Sequence, residues 1–262
     1  MKNKFFFLIL LFYQAYAQEI PIVTNYDDGR AYTTIAVDNK NRIWAGTDKN
    51  GIFILDKEKN QTEFTHQNFP AESNISELTI NSMAGDESGN IWVAHSGTQN
   101  LYNVYGGVER INTTTLSIQH LSPDRNAQGI PFLENDGIGT RNVQQVIADK
   151  NNNIWLAQKY HVMTSDPGTI QPGTFSYRKA DAYTEKFKSV GTWKDVKEGK
   201  PDLILHFPAY TYKLPISKSH GTRNVTSITA NGKYLYVAVE GYEVQDLQGN
   251  DKFLGPRILK YH

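Results

Sequence analysis

One seven-residue motif recurs along this chain and constrains its fold more than any other feature. It has the form Asp-x-x-x-x-Ile-Trp and spans residues 38–44, 86–92 and 149–155. A weaker copy at 231–236 is one residue shorter and has Tyr in place of Trp. Each copy follows a run of β-branched and apolar residues and precedes small or apolar ones. Asp, Asn and Gly between two such runs are typical of turns, so the motif predicts a β-hairpin that occurs four times.

The strand after each turn is too apolar for a half-exposed hairpin. Residues 91–94 read Ile-Trp-Val-Ala, with no alternation of polar and apolar side chains. Such a strand is covered on both faces, which a single hairpin cannot achieve. Stacked repeats can, and motifs spaced by tens of residues are typical of propellers and solenoids.

Each repeat contains two further strand candidates. The third strand follows a Gly-x-x-x-x-Asp/Asn pattern at 51–56, 107–112 and 241–246, with a looser version at 173–178. Fourth-strand candidates are 62–66, 116–121, 183–190 and 252–259. No segment has the pattern of an amphipathic helix. We therefore predict an all-β fold, a β-propeller of four-stranded antiparallel blades with about four blades and long loop insertions.

The repeats define the expected domain organisation. Blades are expected near residues 30–70, 78–122, 142–190 and 224–262, and residues 191–223 are either an insertion or a degenerate blade. Gly-Thr-Arg-Asn-Val occurs at 139–143 and again at 221–225, just before the third and fourth copies. This exact repetition supports the register.

The first 17 residues have the features of a secretory signal peptide. Two lysines precede an apolar run, and Ala15-Tyr16-Ala17 resembles a small-x-small cleavage site before Gln18. The run is short for a membrane span, and no later stretch is long enough for one. We therefore expect an exported domain at 18–262, periplasmic or secreted, without membrane insertion.

Charge and cysteine content exclude several classes of partner and site. The 27 basic and 27 acidic residues balance, and removal of two lysines with the leader leaves 25 against 27, a formal charge of −2. Neither nucleic acid nor an anionic membrane is expected as a partner. The absence of cysteine excludes disulfides and a lipid-modified thiol.

The long connections between strands all lie at one end of the predicted blades. With the strands of each blade called A to D in chain order, the A–B and C–D turns lie at one end and the B–C and D–A connections at the other. The A–B turns are short in every copy, whereas B–C and D–A connections lengthen, for example at 96–106, 159–172 and 123–142. We call the end with the B–C and D–A connections the loop face, and we expect recognition there.

The repeat pattern, closest at residues 44–47 and 51–56, resembles the two-component regulator propeller repeat. Such repeats build the periplasmic ligand-binding sensor regions of hybrid two-component systems, mostly in Bacteroidetes. The resemblance implies a sensor-like propeller, and this chain is similar to a short or partial member, since those sensors are much larger.

Motifs of catalysis and cofactor binding are absent from the sequence. There is no glycine-rich phosphate loop, no nucleophile elbow and no His-Glu-x-x-His. The motif acids Asp38, Asp86 and Asp149 fit turn chemistry better than a calcium loop. No cofactor and no metal is therefore expected.

Aromatic and basic residues in the loops are the candidate ligand-binding side chains. Aromatic rings offer broad contact faces with little rotamer entropy to lose, and arginine binds anions bidentately. The candidates are Tyr102, Tyr105, Tyr160, His161, Arg141 and Arg223.

Three functions fit these observations. The first is a non-catalytic propeller that binds a glycan, a small molecule or a partner protein on the loop face. The second is a glycan lyase or hydrolase, for which Asp136, Asp166 and His161 are the first suspects. The third is a propeller fragment without independent function.

Overall fold

The structure is a computed structural model, and it describes residues 28–60, 63–69, 79–95, 106–121, 124–125, 131–132, 136–138, 142–159, 161–162, 170–171, 175–190, 225–231, 233–240, 242–245 and 251–261. These residues form 21 strands and one 3₁₀ turn, Lys57–Lys59. Within these ranges no helix has both the length and the hydrophobicity needed to cross a membrane.

Four antiparallel sheets follow one another along the chain. The first contains β1 (Tyr32–Val37), β2 (Ile43–Thr47), β3 (Ile52–Leu55) and β4 (Thr65–Gln67). The second contains β5 (Ile80–Gly85), β6 (Asn90–His95), β7 (Gly107–Asn112) and β8 (Ile118–Leu121). A short hairpin of β9 (Asp124–Arg125) and β10 (Pro131–Phe132) comes next.

The third and fourth sheets each have a small hairpin inserted between their strands. The third contains β11 (Val143–Ala148), β12 (Asn153–Gln158), β15 (Phe175–Lys179) and β16 (Lys188–Val190), with the hairpin β13 (His161–Val162) and β14 (Ile170–Gln171) after β12. The fourth contains β17 (Val225–Ala230), β18 (Leu235–Val239) and β21 (Arg257–Tyr261), with the hairpin β19 (Tyr242–Gln245) and β20 (Asp251–Leu254) after β18.

The predicted fold class is confirmed. Three sheets are four-stranded antiparallel meanders in simple sequence order, as expected of propeller blades. Their first strands lie side by side, β1 against β5, β5 against β11 and β11 against β17.

Three strand assignments from the sequence are wrong. The segment 241–246 was expected to be the third strand of the fourth sheet, but β19 pairs with β20 and β18 pairs with β21. The expected strand 252–259 is therefore divided between β20 and β21. The expected strand 183–190 is mostly a turn, and only β16 pairs with β15.

Every first strand has a β-bulge at the same place. The extra residue is Thr33, Asn81, Gln144 or Thr226, and each lies between the first two paired positions of its strand. A bulge shifts the alternation by one residue. Residues three apart, such as Val143 and Val146, are therefore both buried in one core cluster.

Side chains at these bulges bind the next sheet. In the second, third and fourth sheets, the backbone N–H two residues after the bulge donates to a polar side chain of the preceding sheet. The bonds are Met83 N to Thr34 Oγ1 (3.2 Å), Val146 N to Ser82 Oγ (3.2 Å) and Ile228 N to Gln145 Oε1 (2.7 Å). The sheets are thus joined by repeated side-chain-to-backbone hydrogen bonds as well as by apolar contact.

Three apolar clusters fill the spaces between neighbouring sheets. Trp44 belongs to the cluster of the first and second sheets, Trp92 to that of the second and third, and Trp155 packs on that of the third and fourth. Trp44 and Trp92 are fully buried, as expected for blade packing. The outward face of β1 leaves Ile35 and Val37 69% and 55% exposed.

Candidate functional site

The acidic residue of each motif is a structural group that holds the A–B turn and the tryptophan together. Asp86 Oδ1 accepts from Asn90 N at 2.8 Å, and Oδ2 accepts from Trp92 Nε1 at 2.8 Å. In the same way, Asp38 accepts from Arg42 N and Trp44 Nε1, and Asp149 accepts from Asn153 N and Trp155 Nε1. The six-residue spacing of Asp and Trp is the distance that lets one carboxylate bind both the turn and the indole.

The fourth residue of each turn has a left-handed backbone. Asn41, Gly89 and Asn152 have φ values of 56°, 83° and 56°. Asn and Gly tolerate this conformation best, which explains the Asp-x-x-Gly/Asn pattern.

Hydrogen bonding lowers the pKa of two of these acids. Burial of Asp38 and Asp149 opposes their ionisation, but bonds from the indoles, turn amides and neighbouring side chains outweigh it, and their pKa values lie below the ordinary value of an aspartate. Ionised carboxylates that are occupied in this way serve the turn. Among the described residues, no group of three or more His, Asp or Glu side chains could hold a metal ion.

Most of the predicted ligand-binding residues lie outside the described part of the chain. These are Tyr102, Tyr105, Tyr160, Arg141 and Arg223. His161 is described through its backbone alone, as the first residue of β13. Of the suspects for an enzyme, Asp166 lies outside the described residues, and the backbone oxygen of Asp136 accepts from Phe187 N at 2.7 Å.

A layer of buried polar residues lies at the strand ends that lead into the B–C connections. Thr47, His95 and Gln158 end the second strands of the first three sheets, three residues after Trp, and none of them is exposed to solvent. Thr47 Oγ1 donates to Gly51 O at 2.7 Å, and Gln158 Oε1 accepts from Ser176 Oγ at 2.9 Å.

His95 is the member of this layer with the most unusual surroundings. It lies at the base of the 96–105 connection, and neither of its ring nitrogens makes a hydrogen bond in the structure as described. Its Nε2 is 3.4 Å from Glu109 Oε2, and His120 Nδ1 is 3.5 Å from Glu109 Oε1. His95 and Glu109 are fully buried, whereas the His120 side chain is 36% exposed. An imidazole–carboxylate–imidazole row therefore runs across β6, β7 and β8 from the interior to the surface.

The row was not recognised from the sequence. Its members are 14 and 11 residues apart, and only the antiparallel register, which pairs Glu109 with His120 and His95 with Gly107, brings them together. One signal was present, since His95 is a polar residue in a strand otherwise expected to be covered on both faces. A carboxylate flanked by two imidazoles can hold and transfer a proton or fix hydrogen-bond donors at the base of a loop.

Of the comparisons with known proteins, only the one with solved structures finds similar proteins. No family model matches the chain, and no curated protein matches it. The extracellular domain of a protein described as a hybrid two-component system from B. thetaiotaomicron has 17% identity and a TM-score of 0.48 over 86% of this chain and 24% of its own. PorZ of Porphyromonas gingivalis, described as a surface component of the type-IX secretion system, has 18% identity and a TM-score of 0.46 over 91% of this chain and 30% of its own.

Virginiamycin B lyase from Staphylococcus aureus has 10% identity and a TM-score of 0.43 over 88% of this chain and 57% of its own. This chain thus spans about a quarter of the length of the B. thetaiotaomicron domains that it resembles, 24% of one and 28% of another. Extracellular domains of proteins described as hybrid two-component systems are thus among its structural neighbours.

Proposed function

We propose that this chain is an exported, non-catalytic β-propeller domain, residues 18–262, that binds a ligand on its loop face. The ligand is a glycan, a small molecule or a partner protein. The proposal also assigns residues 191–223 to an insertion between blades that contributes to this face.

The observation that carries the proposal is the buried His95–Glu109 pair beneath the 96–105 connection. Burying an ionisable pair costs free energy that an apolar pair of similar size would not. The fourth sheet has Val239 at the position equivalent to His95, so the fold accepts an apolar residue there. A polar pair at the base of a long loop is instead suited to fixing the orientation of that loop for recognition.

The side chains proposed to contact the ligand are those of the connections above this layer. Tyr102 and Tyr105 belong to the 96–106 connection, Tyr160 and His161 to the next, and Arg141 and Arg223 to the segments before β11 and β17. Their convergence near the axis of the first strands would give a ligand more contact area than the flat end formed by the A–B turns.

A glycan array and a peptide library probed with residues 18–262 would identify the ligand class. Tyr105→Ala and Tyr160→Ala are then expected to weaken binding by on the order of 1–2 kcal/mol, as for aromatic anchors. Glu87→Ala, on an exposed A–B turn, should leave the affinity unchanged. Binding lost with Glu87→Ala and kept in both tyrosine variants would show that the ligand occupies the other end.

The role of the buried pair has its own test. His95→Val combined with Glu109→Leu copies Val239 and Leu259, the equivalent residues of the fourth sheet, and removes the buried pair as a whole, so the double variant should fold with unchanged or higher stability. Its affinity for the ligand found on the array should nevertheless fall, because the 96–105 connection loses its polar support. Unchanged affinity in the folded double variant would remove the observation on which the proposal rests.

Export is tested separately. After expression in a Gram-negative host, mass spectrometry of the secreted or periplasmic protein should find Gln18 at or near the N-terminus. A soluble cytoplasmic product that retains Met1 would contradict the proposal.

A glycan lyase or hydrolase is the second candidate, and one observation favours it. Glu109 lies within 3.5 Å of two imidazoles, a pairing of titratable groups that acid–base chemistry needs. Incubation with the glycan that binds should then release new reducing ends, and Glu109→Gln should abolish the release. Binding without any product would exclude this candidate.

A further inference from the structure

Two arginines occupy positions that other sheets fill with apolar or aromatic residues. Arg110 pairs with Trp92 across β6 and β7, where the first sheet has Ile54 opposite its tryptophan and the third sheet has Tyr177. Arg178 pairs with Ile154, where the equivalent residues are Leu55 in the first sheet and Ile111 in the second. Both arginines therefore replace core residues.

The two guanidinium groups both lie close to the ring of Trp92. The Cζ of Arg178 is 5.1 Å from the centre of the Trp92 ring, and that of Arg110 is 6.0 Å from it. Arg178 also lies 4.8 Å from the Phe187 ring, and Arg110 lies 4.1 Å from the Tyr183 ring. Aromatic faces attract cations, but they accept few of the N–H groups of a guanidinium.

The hydrogen-bonding edge of Arg178 that best fits a carboxylate is unused. Only 4% of Arg178 is exposed, and its Nη1 donates to Glu185 O at 3.0 Å. Its Nε and Nη2, together with Arg110 Nη1, are buried and make no hydrogen bond to any residue that the structure describes. Nε and Nη2 form the planar fork with which arginine donates two parallel bonds to a carboxylate.

Charged groups surround the pair, but none of the described residues accepts a hydrogen bond from Nε or Nη2 of Arg178. Burial and the positive charge of Arg110 lower the pKa of Arg178 to about 10, although Asp136, Glu185 and Tyr183 act to raise it. Burial also lowers the pKa of Arg110. Asp86, whose charge acts on Arg110, is already bonded to Asn90 and Trp92. Buried guanidinium donors without an acceptor are costly, so an anion from outside is a natural partner for them.

We propose that Arg110 and Arg178 form a binding site for the carboxylate of a small organic acid between the second and third sheets. The carboxylate accepts two bonds from the Nε/Nη2 fork of Arg178 and one from Arg110 Nη1, against the rings of Trp92 and Phe187. Arg110 is half-buried and Tyr183 is 47% exposed, so this side of the pair meets solvent.

This site lies away from the loop face. Tyr183 and Glu185 belong to the C–D turn of the third sheet, and Lys179 and Ala180 at its start bind the A–B turn through Asn151 O and Asn152 O. The site is therefore at the opposite end of the strands from the 96–105 connection. It does not depend on the function proposed above, and Tyr105→Ala should leave it intact.

The test is a titration of the purified protein with sodium acetate, with sodium chloride at equal ionic strength as the reference. Calorimetry and thermal unfolding should show saturable binding and a rising Tm, because a ligand of the folded state stabilises it by mass action. Sodium sulfate and sodium phosphate form the second arm. A saturable response to these two anions but not to acetate would overturn the carboxylate assignment, and no saturable response to acetate would overturn the site.

Substitutions of the two arginines test whether acetate binds at this pair. Arg178→Ile, which copies Ile111 of the second sheet, and Arg110→Ile, which copies Ile54 of the first, should each weaken acetate binding about tenfold or more, the loss expected for charge-assisted hydrogen bonds. Arg178→Lys keeps the charge but not the fork and should also bind more weakly. Arg42→Met is the matched control, because Arg42 is fully engaged by Asp38 and Thr113 O.

Arg178→Ile should also raise the anion-free Tm, since it removes two buried donors that have no acceptor among the described residues. If Arg110→Ile and Arg178→Lys fold and bind acetate as tightly as the unchanged protein, the proposal is wrong. If Arg42→Met loses the acetate response as well, the response is not local to the pair and the proposal is also wrong.

Discussion

Replacing Asp86 by alanine should destabilise the protein more than the same change at Asp149 or Asn231, the equivalent positions of the third and fourth copies. The carboxylate of Asp86 accepts from Asn90 N, Trp92 Nε1 and Asn90 Nδ2 at 2.8–2.9 Å. Asp86, Asn90 and Trp92 are 4%, 2% and 0% exposed, so water cannot replace the lost acceptor without opening the core. A buried donor left without a partner costs about 1–3 kcal/mol. Three such donors, offset by the lost cost of burying the carboxylate, give a loss of about 3 kcal/mol or more.

The other copies provide a graded comparison. Asp149 makes the same bonds, but it and Trp155 are only half-buried, so water can replace part of the network and Asp149→Ala should cost about 1–2 kcal/mol. Asn231 accepts only two backbone N–H groups of an exposed turn, at 3.0 and 3.2 Å, and Asn231→Ala should cost less than about 1 kcal/mol. Asp181→Ala, at an exposed turn residue, is the control and should lie within about 0.5 kcal/mol of the unchanged protein.

Urea denaturation of the four variants measures this order. The free energies of unfolding should decrease in the order Asp181→Ala, Asn231→Ala, Asp149→Ala, Asp86→Ala, with similar m values, because all variants expose the same surface on unfolding. Equal losses for Asp86→Ala and Asn231→Ala would refute the reasoning that burial of the Asp–Trp hydrogen bond determines its contribution.

Three further predictions concern acidity and packing. Because the pKa of Asp149 is lowered, its carboxylate contributes fully to stability above the ordinary aspartate pKa of about 4 and loses this contribution as the pH falls further. In Asp149→Asn the urea midpoint should therefore depend less on pH below about pH 4 than it does in the unchanged protein. The same pH dependence in both proteins would contradict this prediction. Trp92→Ala should cost about 3–5 kcal/mol as a buried aromatic truncation, and Tyr105→Ala under about 1 as a loop change, so equal denaturation midpoints would contradict the blade packing. A Cβ at Gly85 would lie 2.1 Å from a backbone oxygen of the first sheet. Gly85→Ala should therefore lower Tm by several degrees or more, which corresponds to a loss of about 1 kcal/mol or more. Gly255→Ala is the control and should leave Tm unchanged, because no atom lies within 4 Å of a Cβ at Gly255.

The local features of the fold could be predicted from the sequence because they depend on neighbours in the chain. The Asp-x-x-Gly/Asn turns, the buried strand that contains Trp92 and the four-stranded sheets all follow from turn chemistry and burial patterns. The third strand of the fourth sheet was assigned wrongly because the pattern at 241–246 predicts a strand but not its partner. Leu235–Val239 pairs with Arg257–Tyr261 instead, and the predicted strand belongs to a separate hairpin.

The buried polar groups could not be predicted, since each depends on register between distant strands. Arg110 and Arg178 are 68 residues apart in the chain and approach each other only across the interface of two sheets. Each stands in a segment that sequence patterns correctly assign to a strand, but the pattern does not say that its side chain faces the core. Likewise, His95 and Glu109 become neighbours only through the pairing of β6 with β7.

The hydrogen bonds at the bulges have a consequence for how the sheets unfold. In many repeat proteins each unit is stabilised by itself and by its neighbours' surfaces, and the array can melt from an end. Here Thr34, Ser82 and Gln145 each satisfy a backbone amide of the following sheet. The loss of one sheet therefore leaves a broken hydrogen bond inside the next and favours its opening too. Thus we expect these sheets to unfold in one cooperative transition, with amide exchange at Met83, Val146 and Ile228 governed by the same global opening.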